Sequence, residues 1–360
     1  MTTENTAGTL TSKGIINNPF TLDPHVFPQT LVSGSTESVQ EIIDVFTSET
    51  PVYKSCFITG IQGSGKTVSL SFIAEHFQNQ KDWIVIEFNP KEDMKQHLAS
   101  RLLEEQPIKM ELSKAKISVM VPGIGGFEVE GAEPIKDINV IIEKMLSWLK
   151  DINKKVLIIL DDVFPSENIQ SFAYDYQRLA RLNFPVFLVM TGLYENLQGL
   201  QENNQLSGLS RIYRIHLAPL DLDLMAAQYF TVFQIGYGKA LNMATETKGY
   251  PLAFQVLGHY TWNNGDDPNL VLSKFKGYLE ECVYDKVWEN LPKNDKLFLY
   301  TIAKTADGGM KKVKESCKEH KISYLSCFKQ MKEKGIIKEV EGCLIFTLPY
   351  FDEYVLKSYE

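Results

Sequence analysis

The chain has 360 residues, enough for two or three hydrophobic cores, because single cores stop growing at roughly 250 residues. Apolar residues make up 44% of the chain and charged residues 23%, which excludes a disordered chain or a fibre. No apolar run reaches the roughly 18 residues that a membrane span needs, and the amino-terminal segment lacks the apolar centre of a signal peptide. We therefore expect a cytoplasmic protein without a membrane partner.

The cysteines and the distribution of charge indicate which kinds of site and partner to expect. The five cysteines are odd in number and show no Cys-x-x-Cys spacing, which argues against a disulfide framework and a zinc site. The net charge is −8, yet from Asp285 onward 14 Lys outnumber 12 Asp plus Glu. This basic end suggests an anionic partner, and a solvated lysine-rich surface is the simpler alternative.

Residues 60–67 match the phosphate-binding pattern Gly-x-x-x-x-Gly-Lys-Ser/Thr. A β-branched apolar run precedes them and apolar residues at helical spacing follow, which predicts a strand, a loop and a helix. Glycines let backbone N–H groups turn toward phosphate oxygens at the positive end of the helix, whereas a turn without a ligand is the alternative. Lys66 is expected to reach the β- and γ-phosphates and the Thr67 hydroxyl to bind Mg²⁺. The predicted nucleotide-binding residues are Gly60, Gln62, Gly63, Ser64, Gly65, Lys66, Thr67 and Val68.

A pair of acidic residues follows a second apolar run. In the segment KKVLIILDDVF, five apolar residues precede Asp161 and Asp162. A P-loop requires a carboxylate at the end of a neighbouring parallel strand to hold Mg²⁺, which makes Asp161 the predicted metal residue together with Thr67. Asp162 fits the residue that orients or deprotonates the attacking water. Paired carboxylates also occur in surface turns, but the P-loop favours the catalytic interpretation.

Further strands alternate with helical patterns. Residues 186–190 predict a buried strand that ends at Thr191, which is either a sensor of the γ-phosphate and the attacking water or a threonine that only ends a strand. Residues 82–90 predict a strand beside the one that ends at Asp161. The alternation predicts an α/β fold with a parallel sheet. Residues 116–131 predict an inserted hairpin, which either contacts a partner or has no function of its own.

The carboxyl-terminal part has a different pattern. From Asp285 three short helices precede two strands around a Glu-Gly turn, which is the order of a winged helix. The third helix has polar residues that suit contacts with a phosphate backbone, namely Ser323, Tyr324, Ser326, Lys329 and Lys332. It has no Arg for bidentate contacts with guanine, and winged helices also bind proteins. Double-stranded DNA and a protein are therefore both candidate partners.

The order of these segments resembles the AAA+/STAND group of P-loop ATPases. The resemblance rests on the P-loop, LIILDDV, VFLVMTGL, SRIYRIHLAPL, GYPLAFQVLG and the carboxyl-terminal winged helix. The chain is most similar to bacterial and archaeal ATP-binding proteins with a winged helix, which are themselves similar to origin-recognition initiators. The resemblance implies ATP and Mg²⁺ as ligands and an adenine pocket lined by Pro19, Phe20 and residues 32–34. It also implies a helical lid in which the motif around Pro251 lies over the nucleotide.

The sequence departs from that group in three respects. Ser35 occupies the place of an expected Arg, and the magnesium strand ends in Asp-Asp where many relatives have Asp-Glu. The shorter side chain of Asp162 predicts slow hydrolysis. The predicted lid has no Arg, which leaves Arg211 as the best candidate for a finger that acts on a neighbouring subunit, ahead of Arg178 and Arg181. A surface ion pair is the alternative for Arg211.

The expected architecture is an α/β P-loop NTPase with a helical lid and a winged helix. Its domains are an amino-terminal segment near the nucleotide (1–34), the ATPase core (35–217), the lid (218–284) and the winged helix (285–360). We expect an ATPase switch that hydrolyses ATP slowly and whose nucleotide state controls homo-oligomerisation or the binding of a DNA or protein partner. An initiator-like or mobile-element DNA-binding ATPase and a nucleotide-bound scaffold without hydrolysis are the alternatives.

Overall fold

The computed structural model describes residues 17–23, 36–202, 212–265, 268–305 and 309–359. The described strands are β1 (Ser55–Thr59), β2 (Trp83–Phe88), β3 (Ser118–Val121), β4 (Gly125–Phe127), β5 (Pro134–Ile135), β6 (Lys155–Leu160), β7 (Val186–Gly192), β8 (Tyr213–His216), β9 (Ile337–Val340) and β10 (Cys343–Phe346). The helices up to the last strand of the large sheet are α1 (Thr36–Thr47), α2 (Lys66–Gln78), α3 (Met94–Glu104), α4 (Gln106–Lys114), α5 (Ile138–Asp151), α6 (Glu167–Arg181) and α7 (Tyr194–Glu202).

The remaining described helices follow β8. They are α8 (Leu222–Phe233), α9 (Tyr237–Glu246), α10 (Pro251–Asn264), α11 (Pro268–Leu279), α12 (Asp285–Glu289), α13 (Lys293–Lys304), α14 (Met310–Glu319), α15 (Tyr324–Glu333) and α16 (Phe351–Tyr359), with a π-helical turn at Glu280–Tyr284. Among the helices of the described ranges, none has the length and apolar character that crossing a membrane requires.

Five of the described strands form one parallel sheet in the order β2-β6-β7-β1-β8. The central strands β6 and β7 are buried along nearly their whole length, which explains their continuous apolar sequences. Strand β2 pairs with β6 from Trp83 to Phe88, so the predicted neighbour of the Asp161 strand is confirmed. The predicted α/β fold class is also confirmed.

Strand β7 is longer than the sequence predicted. It continues through Thr191 to Gly192, and Thr191 pairs with Ile58 of β1. The extension needs a glycine, because a Cβ built on Gly192 would lie 2.9 Å from the carbonyl oxygen of Val163. Thr191 therefore lies inside the strand rather than after it.

A small separate sheet contains the predicted hairpin. Strands β3 and β4 are antiparallel, and β5 pairs with β3 in parallel. Gly123 and Gly125 at the tip have φ of +78° and +134°, a backbone region that favours glycine. Between them Ile124 is 48% exposed. The tip thus presents one apolar side chain between two glycines.

The chain divides into two compact units. The first contains residues 37–60 and 66–216 and holds the parallel sheet, and the second contains residues 61–65 and 217–360 together with the described amino-terminal residues. In the second unit, one hydrophobic cluster extends from Tyr250 to Val355. The predicted boundary between lid and winged helix, at residues 284 and 285, falls inside this cluster.

The carboxyl-terminal elements follow the predicted order. Helices α13, α14 and α15 precede the antiparallel hairpin of β9 and β10. Helix α16, which the sequence analysis did not anticipate, comes after the hairpin and buries Phe351, Tyr354 and Val355. Their i, i+3, i+4 spacing is the pattern of an amphipathic helix, so the signal was present.

The described amino-terminal residues pack on helices of the second unit. Phe20 is 2% exposed and stacks on Phe233, with ring centroids 5.5 Å apart. A Cβ built on Gly258 would lie 2.3 Å from the Phe20 ring, so α10 needs a glycine at this contact. The Phe20 ring thus packs among these helices, and its contact with adenine, which the resemblance implied, stays a prediction. Residues 32–34, the other part of that expectation, lie outside the described residues.

Candidate nucleotide-binding site

The loop between β1 and α2 has the backbone that the glycine pattern predicted. Gly63 and Gly65 have φ of +76° and +88°, values that residues with a side chain rarely adopt. Helix α2 begins at Lys66, directly after the loop. Its first N–H groups have no partner within the helix, and they carry the positive end of the helix dipole. The local backbone therefore fits a phosphate group.

Lys66 and Ser64 place polar side chains at the loop. The Lys66 ammonium donates to the carbonyl of Gly60 at 2.8 Å. Burial lowers the pKa of Lys66 to about 8, although the carboxylates of Asp162, Asp161 and Glu195 oppose this shift. The Ser64 hydroxyl is buried and has no hydrogen-bond partner among the described residues. A cation kept out of water and an unpaired hydroxyl fit a polyanionic ligand.

Thr67 and Asp161, the two residues predicted to hold Mg²⁺, are hydrogen-bonded to each other. The Thr67 hydroxyl, in the first turn of α2, donates to Oδ2 of Asp161 at 2.8 Å. Asp161 directly follows β6, so the order of the sheet brings the carboxylate to the P-loop. A hydroxyl and a carboxylate oxygen are the hard ligands that Mg²⁺ prefers. These residues fit the metal that the P-loop implies.

Thr191 is bound to the same carboxylate. It is fully buried, its hydroxyl donates to Oδ1 of Asp161, and it accepts the N–H of Asp162 at 3.0 Å. A hydroxyl has one proton, and here that proton is engaged by Asp161. Thr191 therefore orients the carboxylate of Asp161, while its predicted contact with the γ-phosphate or the attacking water stays a prediction.

Asp162 has an unusual backbone. Its φ is +48°, and its N–H donates to Oδ1 of Asp161 and to the Thr191 hydroxyl, each at 3.0 Å. Asp adopts the left-handed region more readily than most residues with a side chain. The residue is exposed, so its carboxylate is open to water. The backbone thus favours Asp here over the Glu that the resembling group often carries.

The start of α10 contacts the P-loop. The Tyr250 hydroxyl donates to the carbonyl of Gln62, and the N–H of Leu252 donates to the carbonyl of Gly63 at 3.2 Å. Pro251 lies beside the loop, since a Cβ built on Gly65 would be 3.8 Å from its Cγ. Val68, the last predicted nucleotide-binding residue, is half-buried in α2. The resemblance implied only that the Gly249-Tyr250-Pro251 motif lies over the nucleotide. The sequence analysis assigned no role to the Tyr250 hydroxyl, because an aromatic residue before a helix is most often part of a core.

Comparison with known proteins agrees with this geometry. No protein-family model matches the sequence, and no curated protein matches it. The Walker-type ATPase of Pyrococcus abyssi has a similar structure, with a TM-score of 0.58, 16% identity and coverage of 94% of this chain and 99% of that one. The ORC2 protein of Aeropyrum pernix, solved as ADPNP–ADP complexes, gives a TM-score of 0.51 and 15% identity over 93% of this chain and 95% of that one. The chain therefore has a P-loop NTPase fold.

The arginines that the sequence analysis considered as fingers differ in whether they already have partners. Arg211, the predicted finger, lies outside the described residues. Arg178 is engaged, since its guanidinium donates to Glu143 and, at 3.0 Å, to Asn139. Arg181 is exposed in the last turn of α6. The internal partners of Arg178 make it a poor candidate for a finger that reaches another subunit.

Helix α15, the predicted third helix of the carboxyl-terminal part, presents both charged and apolar side chains. On α15, Lys329 and Lys332 are exposed and Leu325 is 75% exposed. The Tyr324 ring instead stacks on Phe328, with centroids 5.7 Å apart. Helix α14 adds exposed lysines, namely Lys311, Lys312, Lys314 and Lys318. These helices therefore expose six lysines, the carboxylates of Glu315 and Glu319, and the apolar side chain of Leu325.

Proposed function

We propose that the chain is an ATP-dependent switch that binds Mg²⁺-ATP and hydrolyses it slowly. The observation that carries the proposal is the bonded group of Thr67, Asp161 and Thr191 at the carboxyl end of the parallel sheet. A turn with only a structural role does not require a buried threonine that orients the Asp161 carboxylate toward the Thr67 hydroxyl. A magnesium site does require such a residue, since the side chains that bind a metal are held in place by hydrogen bonds from neighbouring groups.

In this proposal the amides of the P-loop and Lys66 bind the phosphates. Thr67 and Asp161 hold Mg²⁺, directly or through its water shell. When bound, Mg²⁺ neutralises phosphate charge and stabilises the charge that develops during phosphoryl transfer. Pro251 flanks the loop on the side of α10 and excludes water there. The ADPNP–ADP complexes of the similar ORC2 protein support an adenine nucleotide as the ligand.

Hydrolysis is assigned to Asp162. Its exposed carboxylate accepts a proton from water or orients the water for attack on the γ-phosphate. The short side chain and the absence of an arginine from the predicted lid support slow turnover by the isolated chain. We further propose that ATP promotes a homo-oligomer in which Arg211 contacts the nucleotide of a neighbouring subunit.

The partner is assigned to the surface of α14 and α15. Its lysines support binding to the backbone of double-stranded DNA, as in an initiator-like ATPase. Its exposed Leu325 supports a protein partner instead, because an apolar side chain contributes little to a phosphate contact. ATP controls the affinity of this surface by stabilising one conformation of the protein over another.

The test combines nucleotide binding with turnover. A fluorescent ATP analogue should bind the purified chain more tightly with Mg²⁺ than with a chelator. Phosphate release should follow and should be lost in Asp162→Asn, which retains binding. Absence of binding would overturn the proposal, and binding with equal phosphate release by Asp162→Asn would overturn the assignment of the base. Binding without any release identifies the scaffold alternative.

A second experiment separates the two partner classes. Mobility shift of a duplex DNA is measured with and without Mg²⁺-ATP across a salt series. Binding that weakens with salt supports DNA as the partner. Absence of a shift at low salt excludes DNA and leaves a protein partner.

A further inference from the structure

Two carbonyl groups of the P-loop are bound by the start of α10. The Tyr250 hydroxyl donates to the carbonyl of Gln62, and the N–H of Leu252 donates to the carbonyl of Gly63 at 3.2 Å. When a loop turns its N–H groups toward a phosphate, its carbonyl groups turn outward and need donors of their own. The first turn of a helix has N–H groups without intrahelical partners, and α10 uses one of them here. The tyrosine supplies the second donor.

The carbonyl of Gln62 takes the place of water as a partner of the Tyr250 hydroxyl. The residue is 4% exposed, so the hydroxyl is removed from water. Burial raises the pKa of Tyr250, so the hydroxyl keeps its proton and remains a donor. A Cβ built on Gly63 would lie 2.6 Å from this oxygen. Tyr250 therefore fixes the direction of the Gln62 carbonyl, and its oxygen leaves no space for a side chain at Gly63.

The same turn is bound at its other end to the carboxyl-terminal hairpin. The Lys248 ammonium donates to the carbonyls of Phe346, the last residue of β10, and Leu348, at 3.4 and 3.2 Å. Burial of the ammonium lowers the pKa of Lys248, and the carboxylates of Asp352 and Glu246 oppose this shift. Between the two ends, the Gly249 carbonyl accepts the N–H of Leu220 at 2.8 Å. The turn is thus bonded at three successive residues.

We propose that Tyr250 is a positioning residue that holds the P-loop in its phosphate-binding shape, and that Lys248 couples this turn to the carboxyl-terminal hairpin. The inference rests on the proposed nucleotide binding. A nucleotide that binds only the phosphate-binding conformation of the P-loop stabilises the hydrogen bond between Tyr250 and Gln62. Because Lys248 lies in the same turn as Tyr250, its hydrogen bonds to Phe346 and Leu348 are stabilised as well. Nucleotide occupancy is then reported at the hairpin without contact between hairpin and nucleotide.

The first test removes one oxygen atom. Tyr250→Phe keeps the ring and leaves the Gln62 carbonyl without its donor. We expect affinity for Mg²⁺-ATP to fall about 2- to 10-fold, since the Gln62 carbonyl loses the hydrogen bond that fixes its direction. KM for ATP should rise while kcat is retained, the signature of lost binding rather than lost chemistry.

Tyr229→Phe is the matched control. Tyr229 is also fully buried, and its hydroxyl donates to the carbonyl of Phe254 at 2.7 Å, away from the P-loop. The two variants lose the same group from the same unit. Both should lower the melting temperature, and only Tyr250→Phe should weaken nucleotide binding. Equal weakening by both would overturn the inference, because the effect would then come from general stability.

The second test follows hydrogen exchange in residues 337–346. We expect Mg²⁺-ATP to protect this hairpin in the wild type and to leave it unprotected in Tyr250→Phe and in Lys248→Met at saturating nucleotide. Hairpin protection that persists in Lys248→Met would overturn the coupling. Wild-type protein that binds no nucleotide would refute the proposed function itself. Wild-type binding that Tyr250→Phe matches would refute only the positioning role.

Discussion

Replacement of Thr191 by valine tests the proposed metal site most directly. Valine has nearly the same shape, so it fits the buried position in β7 and removes only the hydroxyl. Asp161 loses the donor to Oδ1, while the N–H of Asp162 keeps Oδ1 of Asp161 as an acceptor at 3.0 Å. No backbone group is therefore left unpaired, and the change is confined to one charge-assisted hydrogen bond.

The magnitude follows from that bond. A hydrogen bond to a charged group contributes roughly 1.5–3 kcal/mol, so the free energy of unfolding should fall by about that amount or less. Loss of a partner that orients a metal ligand typically costs about 10- to 100-fold in metal affinity or activity. Thr191→Val should therefore raise the Mg²⁺ concentration at half-maximal phosphate release by about 10-fold or more. Binding of ATP without Mg²⁺ should not change.

Two further variants make this experiment decisive. Thr191→Ser retains the hydroxyl and should restore the Mg²⁺ dependence. Thr59→Val removes another fully buried threonine hydroxyl from the neighbouring strand β1, where its partner is His216 at 2.8 Å. It should lower stability without changing the Mg²⁺ dependence. An unchanged Mg²⁺ titration for Thr191→Val, or an equal shift for Thr59→Val, would refute the reasoning.

Three other predictions follow from the site and the carboxyl-terminal surface. Lys66→Ala should weaken ATP binding by about 100-fold, because it leaves phosphate charge unpaired in a partly buried site; titration calorimetry measures this, and an unchanged Kd contradicts it. Asp162→Glu should lower the free energy of unfolding by about 1 kcal/mol, because Glu tolerates the φ of +48° less well than Asp; equal stability in denaturant melts argues against strain. If duplex DNA binds, the double substitution Lys329→Ala with Lys332→Ala should reduce the slope of log K against log salt by about 0.9 for each lost phosphate contact, and an unchanged slope assigns the contact to other residues.

The sequence predicted the parts of the site that depend on local signals. Gly63, Gly65 and Lys66 belong to a continuous pattern between a strand and a helix, and Asp161 ends an unmistakably buried strand. Each of these features depends on neighbours within a few residues. A parallel sheet places these residues close together, because the carboxyl ends of its strands meet at one edge. Their proximity therefore follows once the strands are predicted.

Features that depend on tertiary contacts were not predictable in the same way. Tyr250 and Gln62 are 188 residues apart, and no pattern near either residue indicates their bond. The left-handed backbone of Asp162 depends on acceptors in β7 as well as its own strand. Phe20 was assigned to adenine by resemblance, whereas the aromatic cluster of α8 and α10 determines its place. Side-chain partners from distant segments decide these roles.

The hydrophobic cluster that crosses the boundary at residue 285 limits how this protein can evolve. Tyr284, the last residue before that boundary, packs against Phe351 and Tyr354 of α16, with ring centroids 5.0 and 5.6 Å away. A gene fusion that transferred only residues 285–360 to another protein would expose aromatic rings on both sides of the cut. Recombination should therefore preserve a longer segment that begins before α10. The carboxyl-terminal helices would then be inherited together with residues 248–250, the turn that binds the P-loop. They would not be exchanged between proteins as an independent domain.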